Sequence, residues 1–220
     1  MTPEFQAMLR RLAARIPAPG TIIDLGASDG RWAAGAYAVW PSARLLLIDA
    51  NPAHAPGWQA LAAQQPRMAA QTVYQTAMIG GTPGTAKIAY NPTDAYQGLN
   101  AVEAGGDMRV TTIDTEVAAH ALPGPYLIKF DIHGREHSVL AGARHTLGYT
   151  SALVIEVYTR SLGSESLCMV DLCKHIEKEH GLLPSDWCEP MRRPYDGRMH
   201  QVDMVFERKD APGMNDPRYE

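Results

Sequence analysis

The stretch Thr21-Ile22-Ile23-Asp24-Leu25-Gly26-Ala27-Ser28-Asp29-Gly30-Arg31-Trp32 constrains the fold more than any other part of the chain. Thr21 to Leu25 is a short apolar, β-branched run, the pattern of a strand covered on both faces. Gly26 and Gly30 bracket a tight turn, where glycine accepts φ > 0 and lets the backbone come close to a ligand. Ser28 and Asp29 are capping residues for a helix that Trp32 begins. Strand, glycine turn and helix in this order predict an α/β domain with a ligand at the turn.

The spacing is Asp-x-Gly-x-x-x-Gly rather than the Gly-x-Gly-x-x-Gly of dinucleotide sites. A dinucleotide site packs a pyrophosphate against the helix N-terminus. Here Asp24 and Asp29 carry negative charge into that place, which disfavours phosphate and favours a cationic amine. A phosphate-free nucleoside with a positive amino acid tail fits, and S-adenosylmethionine is such a ligand. A second buried run, Arg44 to Ile48, ends in Asp49, about 20 residues beyond the glycine turn. At that distance an acidic residue accepts the two ribose hydroxyls. The expected cofactor set is Asp24, Gly26, Ala27, Ser28, Asp29, Gly30, Asp49 and Ala50, joined by Thr76 and Ala77 in a third strand.

At 220 residues the chain suits one sizeable α/β domain. We divide it into an N-terminal helix and linker over 1–20, the ligand-binding domain over 21–208 and a frayed tail over 209–220. The formal net charge of -4 gives no electrostatic case for nucleic acid as a partner. No stretch approaches the roughly 20 apolar residues of a membrane span, and Met1-Thr2-Pro3-Glu4-Phe5 lacks a signal pattern, so a cytoplasmic location is expected. Three cysteines, Cys168, Cys173 and Cys188, form neither a disulfide framework nor a zinc-knuckle spacing. Oligomeric state is not legible.

Residues 3 to 15 read as a leading helix over the sheet edge or the ligand mouth, or as a dimer contact. A helix from Gly30 to Trp40 and another around Trp58 to Gln65 follow. A third strand spans Thr72 to Gly81. Thr85–Tyr90 and Met108–Ile113 read as a β ribbon around a long loop, Asn91 to Asp107, where Tyr96 and Asn100 are candidate substrate contacts or simply solvated. Tyr126 to Phe130 and Ala152 to Tyr158 are strong strands. Helices are expected from Glu136 to Leu147 and from Ser164 to His180, and a final antiparallel pair near Trp187 and over Gln201 to Arg208. The fold class is therefore α/β, Rossmann-like: a mostly parallel seven-stranded sheet with helices on both faces and a terminal antiparallel strand. Asp24, Asp49, Asp131 and Glu156 fall at or near strand ends, the ligand edge of such a sheet.

With these residues in view, the chain resembles the FkbM-type family of S-adenosylmethionine-dependent methyltransferases. The resemblance rests on Ile23 to Gly30, Asp49-Ala50-Asn51-Pro52, Val110-Thr111-Thr112-Ile113-Asp114, and Leu127 to Glu136 followed by Val139-Leu140-Ala141-Gly142-Ala143. The family usually reads Lys-x-Asp-x-Glu-Gly-x-Glu in the last block. This chain keeps Lys129, Asp131, Gly134 and Glu136 and has His133 in the glutamate place. The resemblance implies a class I methyltransferase fold, S-adenosylmethionine as cofactor with S-adenosylhomocysteine as product, and a hydroxyl acceptor on a small molecule, sugar, glycan or natural product.

Methyl transfer to a hydroxyl needs alignment and a base for the leaving proton. His133 has a suitable intrinsic pKa, and Asp131 can orient it, face the cationic cofactor or act as the base; these two are the candidate catalytic residues. The other reading of His133 is a polar turn residue. Asp131, His133 and Glu156 offer metal-ligating atoms, yet no sequence pattern fixes a site, and no metal is assigned. Arg192, Arg193 and Arg198 suit an acidic acceptor or a solvated surface. The alternatives are a non-catalytic member that binds the cofactor or a partner, and a nicotinamide-dependent oxidoreductase.

Overall fold

β1 (Thr21–Leu25) is buried at every position, as its unbroken apolar run requires. The computed structural model describes residues 1–89, 100–104, 106–162 and 166–218. β1 pairs in parallel with β2 (Arg44–Asp49) on one side and with β8 (Tyr126–Phe130) on the other. β3 (Thr72–Thr76) joins β2, and β9 (Thr150–Tyr158) joins β8, also in parallel. β11 (Met199–Arg208) runs antiparallel to β9, and β10 (Leu182–Arg192) antiparallel to β11. The order β3-β2-β1-β8-β9-β11-β10 is the expected seven-stranded sheet, and strand order reverses between β1 and β8.

Alternating strand residues feed two apolar layers. Ile22, Leu45, Leu47, Leu127 and Val154 face α1 (Pro3–Ala13), α2 (Arg31–Val39), α3 (Ala55–Gln64) and the short α4 (Pro66–Ala69). Ile23, Leu25, Leu46, Ile128 and Leu153 face α5 (Ile113–Ala119), α6 (Glu136–Ala141), α7 (Arg144–Leu147) and α8 (Met169–His180). Phe5, Met8, Leu9 and Leu12 give α1 its buried stripe, and the Thr2 side chain caps it by accepting the Phe5 N–H. α1 packs on α2 and on the edge strand β10 of its own chain. Each large side chain buried there stabilises the fold by about 1.5–3 kcal/mol.

Several boundaries differ from the sequence expectation, each for a tertiary reason. The third strand stops at Thr76, and Ala77 N–H makes the last bond of its pairing with β2, to the Asp49 carbonyl. Met78–Ile79 then forms β4 in a second sheet, with β5 (Gly84–Ala89), β6 (Asn100–Ala104) and β7 (Met108–Thr111) in the order β4-β7-β5-β6. So β6 lies within the stretch read as a loop, and the ribbon is three strands rather than two. Tyr96 lies outside the described residues, and for Asn100 only the backbone place in β6 is described. β7 ends one residue before Thr112, whose side chain accepts the Thr115 N–H and starts α5. The helix expected over 136–147 breaks at Gly142, where a Cβ would meet the Gly80 carbonyl at 2.6 Å. Asp114 restarts it by accepting the Thr146 N–H at 2.8 Å. The last helix begins at Met169, not Ser164; Ser164 lies outside the described residues.

Candidate active site

The carboxyl edge of the sheet is tied together by backbone. Gly26 and Ala27 N–H both donate to the Ile48 carbonyl, and Asp131 N–H donates to the Leu25 carbonyl. Gly26 has φ +74°, and a Cβ there would stand 2.0 Å from the Asp131 carbonyl oxygen. Only glycine lets the end of β8 cross the turn this closely. Gly30 has φ +81°, and the Trp58 ring occupies the space its Cβ would need. It is Gly30, not Ser28 or Asp29, that stands at the N-cap of α2. Asp29 still accepts the Arg31 N–H at 3.3 Å. Ser28 has φ 49° and turns its own N–H onto Asp49 instead.

Asp49 is 6 % exposed and densely engaged. Its carboxylate accepts the Ser28 N–H at 2.6 Å and the Asn51 N–H at 2.7 Å, and lies 3.0 Å from His54 Nδ1. Beside it opens a cavity whose free space, open mouth included, is about 710 Å³. Of the expected cofactor set, Gly26, Ser28, Asp49, Ala50 and Ala77 line it, and so does Asp131. Ala27, Asp29, Gly30 and Thr76 build the turn or strand end without lining it. Asn51, His54, Met78 and Arg135 also line the cavity and were not anticipated. The Asp-x-Asn-Pro turn chemistry after β2 was a signal for Asn51, since its side chain accepts the Ala53 N–H. Nothing local signals His54.

Asp24 does not reach the cavity. It is fully buried on β1, and neither carboxylate oxygen has a hydrogen-bond partner. Burial pushes its pKa up to about 7; Lys129 and the nearby Ala33 backbone N–H pull it down, and Asp131 and Asp49 push it further up. Asp49 and Asp131 put two carboxylates on the cavity wall, an arrangement that suits a cation and opposes a phosphate.

Asp131, His133, Glu156 and Tyr158 form a second group next to the cavity. Lys129 Nζ, almost fully buried, donates to Asp131 Oδ2 at 2.5 Å. Partial burial raises the Asp131 pKa, but the Lys129 charge and hydrogen bond hold it below the usual carboxylate range. His133 sits at φ 50°, a left-handed conformation that a non-glycine residue rarely adopts. Its Nδ1 lies 2.6 Å from the Tyr158 hydroxyl and 3.1 Å from Glu156 Oε2, while Nε2 lies 3.6 Å from Asp131 Oδ1. Tyr158 and Gln201 both donate to Glu156. Burial lowers the His133 pKa, but Glu156, Asp131 and Glu136 together raise it above the ordinary histidine value. Asp131, His133 and Glu156 converge to within 4.8 Å. Their charges are met from within by Lys129, His133 and the two donors to Glu156. Arg193 and Arg198 both pair with Asp196 in the turn between β10 and β11.

Comparison with known proteins follows the same lines. The family model described as the methyltransferase FkbM domain matches residues 24–179. The structure of a methyltransferase FkbM from Methylobacillus flagellatus KT superposes with a TM-score of 0.57 at 21 % identity. It covers 84 % of this chain, and this chain spans 43 % of that one. A putative O-methyltransferase from Klebsiella pneumoniae gives 0.52 at 11 % identity over 93 % of this chain and 78 % of that one. The 1,6-didemethyltoxoflavin-N1-methyltransferase of Burkholderia thailandensis, with bound 1,6-didemethyltoxoflavin and S-adenosylhomocysteine, gives 0.51 at 14 % over 92 % and 76 %. No curated protein is a significant match. Among the described residues no helix is long and apolar enough to cross a membrane.

Proposed function

The chain belongs to the FkbM methyltransferase family, and from that premise we propose that it is an S-adenosylmethionine-dependent O-methyltransferase acting on a hydroxyl of a small-molecule, sugar, glycan or natural-product acceptor. The observation that carries this reading is the pairing of two sites on one sheet edge: a cavity walled by Asp49 and Asp131, and the His133–Glu156 dyad beside Asp131.

The residues present suit this cofactor. Asp49 is a buried acceptor at the end of β2, the place for ribose hydroxyls. The turn at Gly26 and Ser28 brings backbone to the cavity wall, and Asp131 offers an ionised carboxylate to a cationic group. The carboxylates of Asp49 and Asp131 at the cavity wall oppose a pyrophosphate, which argues against a nicotinamide dinucleotide. When bound, the cofactor supplies an activated methyl group on a sulfonium.

His133 then handles the acceptor proton. With Nδ1 turned to Glu156 and Tyr158, the Nδ1–H tautomer is favoured, and the lone pair falls on Nε2, on the side of Asp131. Nε2 withdraws the hydroxyl proton as the new bond forms, and Glu156 stabilises the resulting imidazolium. Asp131 lines the cavity and lies 3.6 Å from the imidazole, so it balances positive charge on both sides.

Calorimetry with S-adenosylmethionine, S-adenosylhomocysteine and NAD tests the cofactor. Binding of NAD alone would end this reading. Transfer of a labelled methyl group to a panel of hydroxylated acceptors tests the reaction. Cofactor binding with no transfer to any acceptor, and unchanged by His133→Ala, would favour a non-catalytic member instead.

A further inference from the structure

Lys129 is the one charged side chain on β8 that lies behind the cavity wall rather than in it. Its side chain is 5 % exposed, and it stands 5.6 Å from the centre of the Trp32 ring. In the sheet it is registered against Asp24 of β1. Two carboxylates therefore attract it, yet its hydrogen bond goes to Asp131 and Asp24 is left with none. Asp131 is the member of the pair that lines the cavity. A carboxylate has two oxygens, and here they are divided: Oδ2 is held by Lys129 at 2.5 Å, and Oδ1 faces His133 Nε2 across 3.6 Å. The gap is too long for a direct hydrogen bond.

We propose that Lys129 is a positioning residue: its buried ammonium pins one oxygen of Asp131, keeps that carboxylate negatively charged, and presents the other oxygen to the space between the cavity and His133. Lys129 touches no ligand in this account and acts only through Asp131. The groups that bear on Asp131 come from four strands: Asp24 on β1, Lys129 on β8 with His133 in the turn after it, Glu156 and Tyr158 on β9, and Asp203 on β11. Of these, Lys129 is the only permanent cation; His133 also favours the ionised Asp131, and Arg135 lines the same cavity. Lys129 is the largest opponent of burial, and without it burial favours a neutral Asp131.

The proposal deepens the methyltransferase reading, but its main test needs neither cofactor nor acceptor. Carbon-13 NMR of the Asp131 side-chain carboxyl, assigned with Asp131→Asn, follows its charge directly. In the wild type, Asp131 should stay ionised from pH 8 down to about 4.5, above the ordinary aspartate value. In Lys129→Met it should titrate inside that window, and in Lys129→Arg it should remain ionised. A wild-type Asp131 that titrates in the window overturns the proposal without any variant, which covers the case of a Lys129→Met chain that does not fold. A folded Lys129→Met chain with Asp131 still ionised overturns it as well. Calorimetry at pH 6 adds the functional arm: S-adenosylhomocysteine should bind about tenfold more weakly to Lys129→Met, the ratio for one unit of proton affinity, and Lys129→Arg should restore it. A wild type that binds no S-adenosylhomocysteine refutes the cofactor reading, while the NMR result still decides the role of Lys129.

Discussion

The backbone N–H of Ser28 donates to the Asp49 carboxylate at 2.6 Å, and with the Gly26 and Ala27 bonds to the Ile48 carbonyl it joins the turn after β1 to the tip of β2. Asp49→Ala removes that acceptor and the acceptor for Asn51 N–H together. Each charge-assisted bond of this kind contributes about 1.5–3 kcal/mol. We expect S-adenosylhomocysteine affinity to fall by at least about tenfold, a loss of ~1.4 kcal/mol of binding, together with a fall in melting temperature. Calorimetry beside a thermal melt checks both, and unchanged affinity would remove Asp49 from the cofactor site.

Gly26→Ala places a methyl group where the Asp131 carbonyl already stands. The left-handed φ of +74° adds its own strain for a non-glycine residue. We expect a stability loss of about 2 kcal/mol or more, hence a melting temperature lower by ~4–8 °C for a chain of this size. Calorimetric unfolding that places the variant level with wild type would show that β8 does not cross the turn so closely.

Glu156 raises the His133 pKa, and burial opposes it. A base with a raised pKa becomes active only as pH climbs, so kcat/KM should rise through a limb above the ordinary histidine value. In Glu156→Gln the charge is gone and the His133 pKa falls. The limb should then move to lower pH while the maximal rate drops. His133→Ala should lower kcat by about 10²–10⁴-fold, the usual range for a general base. A pH–rate profile decides the pair; a limb unmoved in Glu156→Gln would detach Glu156 from the proton transfer.

Asp24 holds its proton to about 7 in the folded chain, against an ordinary 3.8 in the unfolded one. Its contribution to stability is complete below pH 4 and is lost as pH rises through 7. The full loss is up to ~4 kcal/mol from the size of the shift. Asp24→Asn stays neutral throughout, so it should be more stable than wild type at pH 8, with the gap narrowing toward pH 4.5. Denaturant unfolding at the two pH values checks this. A variant less stable than wild type at pH 8 would show that the ionised carboxylate is stabilised by Lys129 more than burial opposes it.

Local pattern reached far into this molecule. The apolar run and paired glycines marked β1 and its turn, because a doubly covered strand has few other sequences and a left-handed turn needs glycine. The acidic end of β2 and the polar end of β8 were legible for the same reason: chain direction in a parallel sheet puts all such ends on one edge. The errors fell where distant segments intervene. The helical pattern breaks at Gly142, where Gly80 passes close beside it, and β6 pairs with the edge of β5.

What the sequence determined by itself is the set of strand tips and the residues that crown them. What the tertiary structure alone decided is how their charges are shared. Asp24 is walled off without a partner, Lys129 is committed to Asp131, and His133 is set between Asp131 and a Glu156 that Tyr158 and Gln201 hold. Periodicity and turn chemistry are properties of neighbours along the chain. Burial and pair distance depend on the register of β1, β8, β9 and β11, which brings together residues far apart in sequence.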